Sequence, residues 1–304
     1  MNRRQLLAAG ATLGAAVAGG CVGCATAPTL SLSMETTSND DITNRLTELI
    51  DPDADGHRIA IEAIDGPATA TGVSEPFDSE TPYRHDGIVY TAETTVLEET
   101  PGTRFGYAIN PVDEDEPIDS GDRIAYEELP DVDKGAFADR GWDAQDPFLG
   151  YRASVHYLEE NVGASVLVPE PEYEVIVWPE TRGRFEITDR ADQPLRTYEY
   201  TAEVAADPAA EYGREVRQLV EFELGPLDDD SRAVVEEAIA EPPYTVPNEA
   251  ELSEAETAVV DRFRGTEQVR RLGDPPRDYE SASGRYVTRY GDRLYWAEIG
   301  AYTG

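Results

Sequence analysis

The sequence has 304 residues, with 62 acidic against 25 basic side chains and a formal charge of −37. A chain this acidic is repelled by phosphate backbones, which argues against DNA and RNA as partners. Its hydrophobic fraction of 40% and its 16 tyrosines are too high for a disordered chain, so we expect a folded body.

The first 20 residues have the pattern of an export signal. Arg3 and Arg4 precede an uncharged run from Ala8 to Gly20, and small residues lead up to Cys21. A positive start, a short apolar core and a small-residue exit are typical of secretion, and paired arginines indicate the twin-arginine route. The apolar run is shorter than the roughly 20 residues that a membrane-spanning helix needs. We therefore predict an export signal with a lipobox over residues 1–20.

Cys21 is the preferred lipidation site, and Cys24 is the alternative. These are the only two cysteines, and their Cys-x-x-Cys spacing also occurs in metal and redox sites, which need a fold around them. Here the pair adjoins an export signal instead. Lipidation predicts a protein bound to membrane lipid on the extracytoplasmic side, with residues 21–39 as a flexible tether.

Strong acidity with lysine only at Lys134, behind such a leader, resembles the haloarchaeal twin-arginine-exported lipoproteins. The body resembles haloarchaeal domains of unknown function. The resemblance rests on residues 1–24 and on composition, and it implies a cell-surface protein adapted to high salt. The screening length falls from about 10 Å at 0.1 M to about 3 Å at 1 M salt, which makes so much like charge tolerable.

The body is predicted to be α+β, built from repeated units of a short capped helix plus antiparallel β-hairpins. Similar segments begin at Tyr90, Tyr200 and Tyr295, each followed by x-Ala-Glu. Asp86-Gly87 and Gly291-Asp292 are typical hairpin turns. We place two degenerate copies in a first α+β region, residues 40–206, and a third copy in a second region, residues 207–304. Common strand patterns in a biased composition are the alternative explanation.

Helix starts and one further hairpin complete the predicted elements. Acidic caps indicate helices from Asn39, Asp55 and Asp230, and an amphipathic pattern indicates another over Leu252–Phe263. A further hairpin joins Tyr173–Trp178 to Arg184–Ile187, after which Thr188–Pro194 is expected to be a polar loop.

One segment has the spacing of a calcium site. Asp51, Asp53 and Asp55 are followed by Gly56 and then by Glu62, which fits the D-x-D-x-D-G-x5-E loop of an EF-hand. Alternate carboxylates converge there on one hard cation, and the last glutamate closes the site. A helix cap at Asp55, without any metal, is the competing interpretation.

No nucleophile elbow, phosphate loop or zinc motif is present in the sequence. His156 with Glu159 and Glu160 could share a helix face as ligands, and Trp142, Trp178 and Trp296 could line a sugar platform. Ordinary core or surface roles are the alternative for all six.

We therefore expect a non-enzymatic, lipid-anchored protein at the cell surface of a halophile. Its role would be binding or envelope-associated, with a protein or a small ligand as the unidentified partner and no cofactor unless calcium binds. A secreted, salt-adapted hydrolase that uses carboxylates and a calcium-stabilised surface module are the alternatives.

Overall fold

A computed structural model describes residues 28–113, 115–138, 149–150, 152–248, 250–276 and 281–301 of the chain, apart from the side chain of Asp55. The predicted export signal and lipidation sites, Arg3, Arg4, Cys21 and Cys24, lie outside these residues. Within the described ranges the fold is α+β, as predicted, with seven α-helices and three five-stranded mixed sheets. None of the helices described has the length and apolar character needed to cross a bilayer.

The helices are α1 (Asn39–Leu46), α2 (Asp55–Asp65), α3 (Asp131–Ala138), α4 (Glu159–Val162), α5 (Ala209–Val220), α6 (Asp229–Ala240) and α7 (Glu254–Phe263). The strands are β1 (Leu30–Thr36), β2 (Glu48–Leu49), β3 (Ala68–Gly72), β4 (Tyr83–His85), β5 (Ile88–Thr100), β6 (Gly102–Pro111), β7 (Arg123–Ala125), β8 (Arg152–Leu158), β9 (Val175–Val177), β10 (Arg182–Asp192), β11 (Leu195–Ala206), β12 (Glu221–Glu223), β13 (Tyr244–Val246), β14 (Gly284–Tyr290) and β15 (Arg293–Ala301).

The chain divides into two compact units, of which the first joins the described residues up to Thr37 with those from Gln218 onward. It contains sheet 1, with strand order β12-β14-β15-β1-β13. Helices α6 and α7 bury Val235, Val260 and Phe263 in one core with the strands. Strand β1 contributes Leu32, which is fully buried, because leucine and serine alternate along it and only one side faces the core.

The second unit, Ser38–Arg217, contains two sheets. Sheet 2 has the order β2-β4-β5-β11-β3, and α2 packs on it over a core rich in tyrosine. Tyr83 and Tyr90 stack there with ring centroids 5.6 Å apart. Sheet 3 has the order β7-β9-β10-β6-β8, and its core lies between residues 105 and 187. The segment that forms sheet 3 is therefore inserted, with a core of its own, between β5 and β11.

All three sheets have the same pairing pattern. The first two strands of each order are parallel, and the remaining neighbours are antiparallel. In sheets 1 and 3 the strands, taken in chain order, occupy the fourth, first, fifth, second and third positions of the sheet. In sheet 2 they occupy the first, fifth, second and third positions, and the fourth position is taken last, by β11.

The predicted hairpins are present. Asp86 and Gly87 both have positive φ, as a type I′ turn requires, and join β4 to β5. Gly291 has positive φ at the first turn position between β14 and β15, and the hairpin of β9 and β10 forms as expected. Tyr90 and Tyr295 occupy equivalent third-strand positions. Tyr200 lies on a fourth strand, so equating it with the other two is wrong.

Two predicted boundaries are also wrong. The tether assigned to residues 21–39 includes β1, which is paired on both sides, because its serines and threonines concealed an alternating apolar face. Since β1 lies in sheet 1, the N-terminal strand belongs with the C-terminal unit. The proposed division into 40–206 and 207–304 is replaced by 38–217 and the remaining described residues.

Candidate functional site

The predicted calcium loop does not have the conformation that an EF-hand needs. Helix α2 begins at Asp55, so Asp55 and Glu62 are seven residues apart along a helix, about 10 Å at 1.5 Å per residue. Oxygens that bind one calcium ion lie within 2.3–2.6 Å of it. Asp51 accepts a hydrogen bond from the Asp53 amide, and Glu62 pairs with Arg58. Among the described side chains no three acidic or histidine residues come together as metal ligands. Helix α2 therefore starts inside the predicted loop, with Ala54 rather than Asp55 at its N-cap position and no side-chain cap.

The predicted histidine cluster is also reorganised. His156 lies on strand β8 rather than on a helix, and its Nε2 is 2.7 Å from the carbonyl oxygen of Gln193. Glu159 and Glu160 begin the short helix α4 that follows. Trp178 and Trp296 are buried and do not form a sugar platform, and Trp142 lies outside the described residues.

The structure instead forms a cleft where sheets 2 and 3 are joined, which we call the junction cleft. Strand β5 continues into β6 through Pro101, and β10 continues into β11 through Gln193-Pro194, so the expected loop over Thr188–Pro194 is wrong. Residues from segments 99–103, 159–163 and 190–194 enclose about 560 Å³. This volume lies within the range of small-molecule sites.

Hydrogen bonds fix the backbone at both connections between the sheets, β5 to β6 and β10 to β11. The Gln193 amide donates to the Gly102 carbonyl at 2.9 Å, and the Glu159 amide donates to the Pro101 carbonyl at 3.0 Å. His156 approaches Gly102 so closely that a Cβ there would lie 2.5 Å from Nε2. Because residue 102 is glycine, the His156 imidazole can lie close to it and contact the Gln193 carbonyl in the connection from β10 to β11.

The charged lining of the junction cleft contains both signs. Arg190 lies opposite Phe105 in the β10–β6 ladder, and its guanidinium is 5.6 Å from the centre of that ring. Asp192 lies two residues further along the same strand, opposite Thr103, and therefore on the same face. Glu159 enters from α4. Within the described part of the chain, none of these three side chains makes an ion pair.

Two neighbouring pairs of charged side chains bind each other, in contrast. Arg196 donates to Glu99 at 2.8 Å, and this bond raises the pKa of Arg196. Arg104 binds Asp189, and the hydrogen bond lowers the pKa of that carboxyl. Arg190, Asp192 and Glu159 of the junction cleft have no such partner among the described residues.

A second, more open cleft of about 690 Å³ lies elsewhere on sheet 3, between the loop 169–174 and strand β10. Its charged lining is acidic, with Glu170, Glu174 and Glu186, and Arg184 neutralises part of it through Glu174. The segment leading into this loop is held by Asp133, which is fully buried.

Asp133 accepts three hydrogen bonds. The donors are the hydroxyls of Tyr157 at 2.7 Å and Ser165 at 2.6 Å, and the amide of Val166 at 3.0 Å. Burial and the adjacent Asp133 carboxylate raise the pKa of Tyr157, so this phenol stays protonated as a donor.

No protein-family model, curated protein or solved structure matches this chain. Its function therefore has to be argued from its own residues.

Sequence reasoning selected Glu159 but missed Arg190 and Asp192. The alternation Arg-x-Asp is present in the sequence, but the segment was interpreted as a loop. In a loop, alternate residues do not share a face as they do in a strand. Strand register was needed to place both side chains on one face.

Proposed function

We propose that this protein is exported by the twin-arginine route, anchored by lipid at Cys21 and active as a non-enzymatic binding protein at the surface of a halophile. Its ligand site would be the junction cleft. The supporting observation is that Arg190, Glu159 and Asp192 line one cleft with no ion pair among the described residues. These three residues lie on a backbone that is held by hydrogen bonds. This favours binding, because little conformational entropy is lost when a ligand enters.

We also propose that the body consists of three copies of one unit, residues 30–100, 102–192 and 195–301. The common pairing pattern of the three sheets supports this, as does the position of a helix between the first and fifth strands of each sheet. In this interpretation the first and third copies have exchanged their first strands, β1 and β11. The middle copy keeps its own strand, β6, and provides most of the junction cleft.

Binding is tested by melting temperature in molar KCl, with a panel of neutral, anionic, cationic and zwitterionic small molecules. The cleft variant combines Arg190→Gln, Glu159→Gln and Asp192→Asn. Its control combines three exposed positions outside the junction cleft and has the same change in charge: Arg152→Gln, Glu160→Gln and Glu186→Gln. A compound that stabilises the native protein and the control but not the cleft variant supports the proposal. If no compound distinguishes the two variants, the proposed site is wrong.

A secreted hydrolase is the second candidate, because Glu159 and Asp192 are two carboxylates in one cleft. Most glycosidases use such a pair, one as acid and the other as nucleophile or base. Chromogenic glycosides and esters test this directly. Turnover that Glu159→Gln and Asp192→Asn each abolish would favour the hydrolase over the binding protein.

A further inference from the structure

We infer that the junction cleft binds a short peptide through its free termini, with the carboxylate at Arg190 and the ammonium group at Glu159 and Asp192. This inference rests on the proposed binding function and gives its ligand a chemical class.

Charge balance is the first reason. The cleft holds one cation and two carboxylates that no side chain among the described residues neutralises, whereas Glu99, also in its lining, is already bound to Arg196. A purely anionic ligand would satisfy Arg190 but face two like charges on a protein with a formal charge of −37. A purely cationic ligand would leave Arg190 without a partner. A zwitterion supplies a partner to each sign.

The spacing of these residues along β10 is the second reason. Arg190 and Asp192 are two residues apart on β10, so their backbone positions are about 7 Å apart at roughly 3.4 Å per residue. Arg190 is held towards Phe105, its direct cross-strand neighbour, by a cation–π contact rather than lying on Asp192. In an α-amino acid, the ammonium and the carboxylate groups are attached to the same carbon. An extended peptide separates its termini by about 3.3–3.6 Å per residue, so two or three residues match this spacing.

High salt strengthens the argument for direct contact. At molar ionic strength the screening length is about 3 Å, so distant charges contribute little and recognition depends on groups in contact. Guanidinium–carboxylate pairs supply such contacts with two parallel hydrogen bonds. The cleft volume of about 560 Å³ leaves room for a short peptide backbone between the two contacts.

The test uses triglycine in four forms: with free termini, N-acetylated, C-amidated and doubly capped. Free glycine is the fifth probe. Binding is measured by calorimetry to the full chain in molar KCl, for the native protein and for Arg190→Gln, with Arg152→Gln as the control of equal charge change. Arg152 is an exposed arginine on β8 that does not line the cleft.

We expect triglycine with free termini to bind at least about tenfold more tightly than either singly capped form, which corresponds to about 1.4 kcal/mol. Arg190→Gln should abolish this preference for a free carboxylate, and Arg152→Gln should retain it. Glycine should bind more weakly than triglycine.

Three results would overturn the inference. A capped form that binds as well as free triglycine would show that the cleft does not recognise both termini. The proposed binding function would then remain, with another ligand. Glycine binding as tightly as triglycine would exclude a peptide. Absence of binding by all five probes would also reject the inference, whereas the small-molecule panel with the triple variants decides the binding function independently.

Discussion

Replacing Asp133 by alanine should destabilise the second unit strongly. The carboxylate is fully buried and accepts hydrogen bonds from Tyr157, Ser165 and Val166. Without it, the Tyr157 hydroxyl and the Val166 amide lose their acceptor, while the half-buried Ser165 hydroxyl can turn. Each buried donor left unpaired costs about 1–3 kcal/mol, so we expect a loss of about 2–6 kcal/mol. This is a large part of the roughly 5–15 kcal/mol that stabilises a typical domain.

Urea unfolding in molar KCl, followed by far-UV circular dichroism, measures this loss. Asp133→Asn is the milder variant, because its amide oxygen can still accept from both hydroxyls while its NH2 group opposes the Val166 amide. Asp131→Ala is the control: this acid is in the first turn of the same helix, is exposed and pairs with Lys134, so its removal should cost less than about 1 kcal/mol. Equal stability of Asp133→Ala and the control would refute the reasoning.

Three other predictions concern the junction, alkaline pH and salt. Gly102→Ala should push the His156 ring away from the Gln193 carbonyl and cost about 1–3 kcal/mol in urea unfolding, whereas Gly163→Ala, where an added Cβ meets nothing within 4 Å, should not. Burial and the neighbouring Tyr90 raise the pKa of Tyr83 to about 12, against about 10 when unfolded, so the contribution of this phenol is complete below pH 10 and is lost as pH rises towards 12. The stability deficit of Tyr83→Phe at neutral pH should therefore shrink over that interval, and a constant deficit would contradict the assignment. Circular dichroism should show structure in molar KCl and its loss on dilution, and equal structure at both salts would reject the halophile interpretation.

Local signals in the sequence predicted the hairpins and most helix starts. Asp86-Gly87 needs no tertiary information, because its positive φ angles select aspartate and glycine in a two-residue turn. Helix α7 begins where Ser253 and Glu256 form a capping box, close to the predicted start at Leu252.

The sheet order was not predictable in this way. Strand β1 pairs with β15, at the other end of the chain, and nothing local records that partner. The same limit applied to the site. Only the register of Arg190 and Asp192 against Phe105 and Thr103 shows that the two side chains share a face. The calcium spacing is a weak signal because an acidic chain places carboxylates at many spacings, and the sequence did not show that α2 begins at Asp55, inside the predicted loop.

The most direct test of an exported, lipid-anchored protein is its location in the cell. Native protein, Cys21→Ser and Cys24→Ser are expressed in a haloarchaeal host and measured in membrane and medium fractions. We predict that the native protein and Cys24→Ser stay with the membrane and that Cys21→Ser alone is released into the medium. Retention of all three in the membrane, or in the cytoplasm, would contradict the proposed anchor.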